Sequence, residues 1–172
     1  DYEKKDKIEI IDEPEVDNRP NNLNSLIDLN KALKNKCYKI LIKEDYKLAK
    51  PLIIYHITND KVKSKNISLS LDFQLEKNSS LRLIDLFNDN SEKNFLNVFY
   101  NFDLKQDSIL KNYKIDKTEN KNVKYSFNNI EQAANSVSET FILSSGSHFF
   151  KNEMNCNLKG KYSSAFINGI FL

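Results

Sequence analysis

The sequence predicts a mainly β fold built from repeats, a parallel β-helix (β-solenoid) preceded by a short helical and linker region. Three observations lead there. Apolar and polar residues alternate with period two over most of the chain from Tyr38 onward. A strand-ending corner recurs: Leu75-Glu-Lys-Asn-Ser-Ser-Leu81 matches Leu104-Lys-Gln-Asp-Ser-Ile-Leu110, and Leu158-Lys-Gly-Lys-Tyr-Ser-Ser164 is a looser copy. Spacing near multiples of about 27 residues is the signature of a solenoid, whose coils cannot bury their inner faces without neighbours. Finally, the chain has only three Gly and three Pro among 172 residues. That is poor in the tight-hairpin signals an antiparallel sandwich wants, and the lone Asn168-Gly169 sits inside an apolar run.

The elements follow in order. Residues 1–22 are charged and carry Pro14 and Pro20; Ile8, Ile10 and Val16 can form a short strand, and the rest reads as linker. Asn22 or Asn24 can cap a helix in which Leu23, Leu26, Ile27, Leu29 and Leu33 recur at helical spacing to about Lys34. Residues 1–37 thus form a linker and short helix, and 38–172 the β-helix core. Strands are expected around Tyr38–Ile42, Leu52–Ile57, Ile67–Leu75, Leu81–Leu86 and Leu96–Leu104. Further strands are expected around Leu110–Ile115, Val123–Phe127, Met154–Leu158 and Ala165–Phe171. Ile130–Asn135 reads as a weak helical interruption. Asn, Asp, Ser and Lys must make the turns, because Asn and Asp tolerate left-handed backbone and bond to it locally. The chain opens at Asp1 and stops on the apolar run Gly169–Leu172, inside a core strand, so a fragment truncated at the C-terminal end of the β-helix is expected.

Composition narrows the function. Forty per cent apolar residues, with eleven Phe and eight Tyr, can fill a core. A net charge of +2, lysines scattered among carboxylates, and only Arg19 and Arg82 as arginines argue against nucleic acid. No apolar run approaches a membrane span and no signal peptide opens the chain, so a cytoplasmic protein is expected. Cys37 and Cys156 stand far apart without a CxxC partner, as reduced thiols do.

Longer segments carry a resemblance. Residues 151–172, KNEMNCNLKGKYSSAFINGIFL, resemble the "RNDLNVxLxGxxAxxxLNGLYL" segment of the SufB/SufD family. Leu104–Ile115 looks like its "LxExAxLxxYKL" coil, Lys50-Pro51-Leu-Ile-Ile-Tyr55 like its "KPLxIxY" strand, and Asp28–Ala32 like its "LNxAF" helix. Lys50, Pro51, Lys151, Asn152, Leu158, Gly160, Asn168 and Gly169 are the motif positions. Lys151 replaces the usual Arg, and Tyr162-Ser163 a Gly-Ala-like corner. The pieces follow the shorter SufD-type pattern over roughly residues 23–172. The resemblance implies a right-handed parallel β-helix in a non-catalytic scaffold subunit of the SUF iron–sulfur cluster assembly complex. It also implies pairing with a homologous SufB-type β-helix subunit and, through C-terminal helices beyond this chain, with the ATPase SufC. The cluster would belong to the complex, with no cofactor bound directly here. The family's functional histidine lies past the segment matched at Leu172, so neither His56 nor His148 inherits that role.

Other chemistry is weighed against plainer readings. His148 and Cys156 could ligate iron or zinc, but a site needs three or four ligands, and Cys156 alternates with Met154 and Leu158 as a core thiol does. His148 reads as an exposed turn residue and His56 as a hydrogen-bonded structural one. Ser145 or Ser147 beside His148 lacks the GxSxG elbow. Gly146, Gly160 and Gly169 are too dispersed for a nucleotide loop. Phe95, Phe99, Tyr100 and Phe102 could stack bases, but alternation makes most of them core. The main alternative is a carbohydrate-active β-helix enzyme using Asp85 or Asp103 as acid and base. A free-standing adhesin-like solenoid is disfavoured by the missing signal sequence.

Overall fold

A computed structural model describes residues 7–12, 24–34, 36–58, 64–89, 93–117 and 120–172. Its elements, in chain order, are β1 (Ile8–Asp12), α1 (Ser25–Leu33), β2 (Lys36–Ile42), β3 (Leu52–Thr58), β4 (Asn66–Leu75), β5 (Ser80–Asp89), β6 (Phe95–Leu104), β7 (Ile109–Asp116), β8 (Asn120–Gln132), β9 (Val137–Ser144), β10 (Ser147–Leu158) and β11 (Ser164–Phe171). From β2 onward, even- and odd-numbered strands alternate between two sheets. Sheet A runs β1-β2-β4-β6-β8-β10 and sheet B runs β11-β9-β7-β5-β3. All pairings are parallel except β1 against β2. Each coil therefore goes out along sheet A, turns, and returns along sheet B, which is the expected parallel β-solenoid.

The corner from A to B explains the low glycine count. Lys43–Tyr46, Glu76–Ser79, Lys105–Ser108, Ala133–Ser136 and Gly160–Ser163 are four-residue turns closed by a backbone bond from the fourth N–H to the first carbonyl. The third residue of each has positive φ: Asp45, Asn78, Asp107, Asn135 and Tyr162, at 55–62°. Asn and Asp carry this conformation at small cost. The serine hydroxyl of the last four turns donates to the first carbonyl at 2.6–2.8 Å. The turns also stack: Asn78 donates to Asp45 at 2.7 Å and Asn135 to Asp107 at 2.9 Å. A Cβ on Gly160 would lie 2.0 Å from the Ala134 nitrogen, so glycine is required there for close approach of successive corners.

Two sequence expectations fail at this point. Ile130–Asn135 is not helical: its first residues end β8 and Ala133–Ser136 is a full corner whose Ala-Ala disguised the turn. Strand β9, absent from the sequence reading, follows it directly. Asn168-Gly169 continues β11, as an apolar run should. The helix begins at Ser25 with Asn24 as cap, whose side chain accepts from Leu26 N and Ile27 N at 3.0 Å. Asn22, Leu23, Val16, Pro14, Pro20 and Arg19 lie outside the described residues.

The core fills the space between the sheets. Ile40, Ile42, Leu71, Phe73, Leu75, Phe102 and Leu104 from sheet A meet Leu81, Leu83 and Leu110 from sheet B. Phe73 and Phe102, ladder partners, stack at 4.9 Å. A second cluster lies on the outer face of sheet A, where Ile27 of α1 covers Phe99, Tyr125 and Phe127. Tyr125 and Phe127 alternate as expected but face the helix, not the lumen. Asn30, fully buried on α1, donates to the carbonyls of Asn97 (2.7 Å) and Leu69 (3.2 Å).

Candidate functional site: a buried charge cluster in the lumen

Counting from the corner serine gives the phase of each sheet B strand. The second residue after it points inward: Leu81, Leu110, Ser138 and Ala165. On β7 the same phase turns Asn112, Lys114 and Asp116 into the lumen, and all three are buried. Across it, β8 turns Lys124, Ser126 and Asn128 inward, also buried. The lumen is thus apolar around β2, β4 and β5 and polar around β7, β8 and β9.

At the transition, four side chains from four strands meet. The Nε2–H of His56 (β3) faces Asp85 Oδ1 (β5) at 2.6 Å, and the Tyr100 hydroxyl (β6) donates to Asp85 Oδ2 at 2.5 Å. Lys114 Nζ (β7) lies 3.6 Å from Asp85 Oδ2 and 3.2 Å from the Tyr100 ring centre. It also donates to Ser126 Oγ at 3.3 Å. His56 stacks on Phe87 at 4.3 Å. One step along, Lys124 donates to both oxygens of Asp116 at 2.9 and 3.0 Å. Two carboxylates and two ammonium groups are therefore buried as mutually compensating pairs, the arrangement a low-dielectric interior demands.

The environment shifts these groups. Burial pushes the Asp85 carboxyl upward, but His56, Lys114 and the Tyr100 hydroxyl together outweigh it and hold it below its usual range. Burial lowers Lys114 to about 8 despite the nearby Asp85. Burial, then Asp85, raise the Tyr100 phenol well above its ordinary value. Asp85 is fully enclosed, so its carboxylate is a buried counter-ion that ties neighbouring coils together across the lumen.

The remaining candidates are dispersed. Asp103 faces outward from sheet A, paired with Lys105 at 2.7 Å, in a polar groove of about 690 Å³ that also holds Asp72 and Glu131. Asp85 faces the lumen from the other sheet, so the two carboxylates share no groove. His148 is exposed near the start of β10, on a strand and not in a turn, while Cys156 lies near its far end. Eight strand residues span roughly 26 Å, so these two cannot ligate one metal. Cys156 is half-buried against the lumen core, and burial raises its thiol. Cys37 is buried on the outer side of sheet A, its Sγ 3.5 Å from Asp72 Oδ2. Among the described residues, no three His, Cys, Asp or Glu side chains are grouped to hold a metal ion.

The motif positions are spread along the solenoid. Lys50 and Pro51 lead into β3. Asn152 faces the lumen and accepts from Asn128 at 3.0 Å. Lys151 is outside, paired with Glu153 at 2.5 Å. Leu158 ends β10, Gly160 opens the last corner, and Asn168 and Gly169 lie in β11. Sequence reasoning missed Lys114, Asp116 and Lys124. The available signal was the corner serine, from which the inward phase of β7 can be counted.

A scan of protein families matches residues 57–172 to the SUF system FeS cluster assembly, SufBD core domain. A search of curated proteins finds no match. The family match begins within β3 and runs through every later strand, which is well over half of the chain. The chain therefore belongs to the SufBD core family of the SUF system, and its role lies in iron–sulfur cluster assembly.

Proposed function

We propose that this chain is a non-catalytic, SufD-type scaffold subunit of the SUF complex, working in the cytoplasm. On this reading it pairs with a SufB-type β-helix subunit and engages a SufC-type ATPase. The cluster is cargo of the complex and is not bound by this chain alone. The observation that carries the reading is the family match over residues 57–172 on a continuous parallel solenoid. The geometry supports it too. Asp85 is sealed inside as a structural counter-ion, and Asp103 faces elsewhere with its own lysine. The carbohydrate-cleaving alternative thus has no converging acid and base.

The test is anaerobic reconstitution with iron and sulfide. This chain alone should form no stable cluster absorbance, whereas the same protein co-assembled with SufB-type and SufC-type partners should. A strong signal from the chain alone, lost on Cys156→Ser, would overturn the reading.

A further inference from the structure

The outer face of sheet B is built unlike a solvent face. Its outward positions form two complete rows across the five strands. One is Ile53–Ile84–Tyr113–Phe141–Asn168 and the other Tyr55–Leu86–Ile115–Leu143–Ile170. Nine of these ten residues are aliphatic or aromatic. Tyr55 is 58 % exposed, and Ile57, beyond it on β3, 70 %. A parallel sheet is normally covered on both faces. On sheet A the apolar part of the outer face is covered, since Leu26 and Ile27 of α1 pack on Phe99, Tyr125 and Phe127. No described element covers the rows on sheet B.

We propose that this face docks an amphipathic helix of a partner protein, one whose apolar stripe is flanked by carboxylates. Size comes first. Five strands at about 4.8 Å and a strand length near 20 Å give roughly 500 Å², the scale at which apolar patches are commonly functional. A helix of about 16 residues is about 24 Å long and would cross all five strands along the rows.

Charge selects the partner. The corner side of the face carries Lys47, Arg82 and Lys111, and the opposite side Lys117. The single carboxylate among the described outward residues of these strands is Glu139, 2.9 Å from Lys111. The rim is thus net positive and complements acidic flanks. Two clefts flank Tyr113. One, of about 470 Å³, is walled by Ile109, Arg82 and Lys111, suited to a carboxylate beside an apolar anchor. The other, of about 310 Å³, is walled by Phe141 and Phe166 with Glu139 and Asn168 at its edge, suited to an apolar side chain with a polar margin. The chain's own α1 on sheet A shows that a short helix seats well on such a stripe.

The experiment titrates the full chain with two designed 18-residue helical peptides. They share a Leu stripe at i, i+3, i+4 and i+7; one carries Glu flanks and the other Lys. Binding is read by fluorescence anisotropy, and the contact surface by NMR shifts. The Glu peptide should bind at least ten-fold tighter than the Lys peptide, weaken with salt, and shift Tyr113, Ile115 and Leu143. Ile115→Asp should abolish binding. Arg82→Glu changes an exposed residue whose guanidinium donates to the Ala49 carbonyl and which lies outside the core, so it guards against misfolding of the first variant; it should erase the preference for Glu. Equal binding of both peptides, no binding, or shifts confined to other surfaces would overturn the proposal. So would an Ile115→Asp-sensitive affinity for anionic phosphatidylserine vesicles or an Ile115→Asp-sensitive dimer in sedimentation, since either gives the face to another occupant.

Discussion

Replacing Asp85 by Asn tests the lumen cluster. The carboxylate faces His56 at 2.6 Å, Tyr100 at 2.5 Å and Lys114 at 3.6 Å, with no solvent access. Asn is nearly isosteric, so packing is kept while the charge is lost. Lys114 then has no counter-ion in a site where it is 3 % exposed. Breaking a buried pair from one side costs about 3–5 kcal/mol. At about 2–4 °C per kcal/mol for a chain of this size, the midpoint should fall by roughly 6–20 °C. Lys114→Met should be close to neutral below pH 8, because it also removes the burial penalty of the ammonium while Asp85 keeps His56 and Tyr100. The double variant Asp85→Asn/Lys114→Met should recover much of the loss, leaving a coupling of at least about 1 kcal/mol. Thermal and urea unfolding followed by tyrosine fluorescence and circular dichroism measure all four proteins, since the chain has eight Tyr and no Trp. An Asp85→Asn protein within about 0.5 kcal/mol of wild type, or strictly additive variants, would refute the cluster as a structural fastener.

Stability should also depend on pH with a definite sign. Lys114 titrates at about 8 when folded, against 10.5 in the unfolded chain, so the unfolded state binds more protons between those values and stability rises with pH across them. Below pH 8 the full penalty, about 3 kcal/mol, is present; Lys114→Met should flatten this rise in a pH series of urea midpoints. Asp85 works at the acid end: its lowered carboxyl stabilises the fold above the usual carboxylate range, and that contribution is lost as pH falls below that range and through the lowered folded value. Gly160→Ala should lose several degrees of melting temperature, because its Cβ would meet Ala134 backbone, while Gly169→Ala should lose less, because only the movable Phe171 ring is near. With the thiol reagent DTNB under native conditions, Cys156 should react slowly and Cys37 only on unfolding, as half-buried and buried thiols do.

The solenoid was readable because its corners repeat chemically. Asn or Asp at the left-handed position and Ser after it appear in three of the five corners. Where Ala133-Ala134 filled the first two turn positions, the pattern mimicked a helix and hid both a corner and β9. Faces were harder to read. Outward Tyr125 and inward Tyr100 alternate alike in the sequence, and only the docking of α1 and the opposing Asp85 tell them apart. The lumen charges were invisible for a related reason. Lys114 and Lys124 are in phase with core positions, but a lysine reads as a surface residue until a carboxylate from another coil is placed beside it. That pairing joins residues 29 apart for Asp85 and Lys114, through ladder partners β5 and β7.

Native mass spectrometry of this protein co-expressed with SufB-type and SufC-type proteins tests the proposed scaffold role most directly. A stable assembly containing one copy of this subunit with a SufB-type subunit and bound SufC is the predicted result. Recovery of this protein free of both, under conditions where SufB and SufC themselves associate, would contradict it.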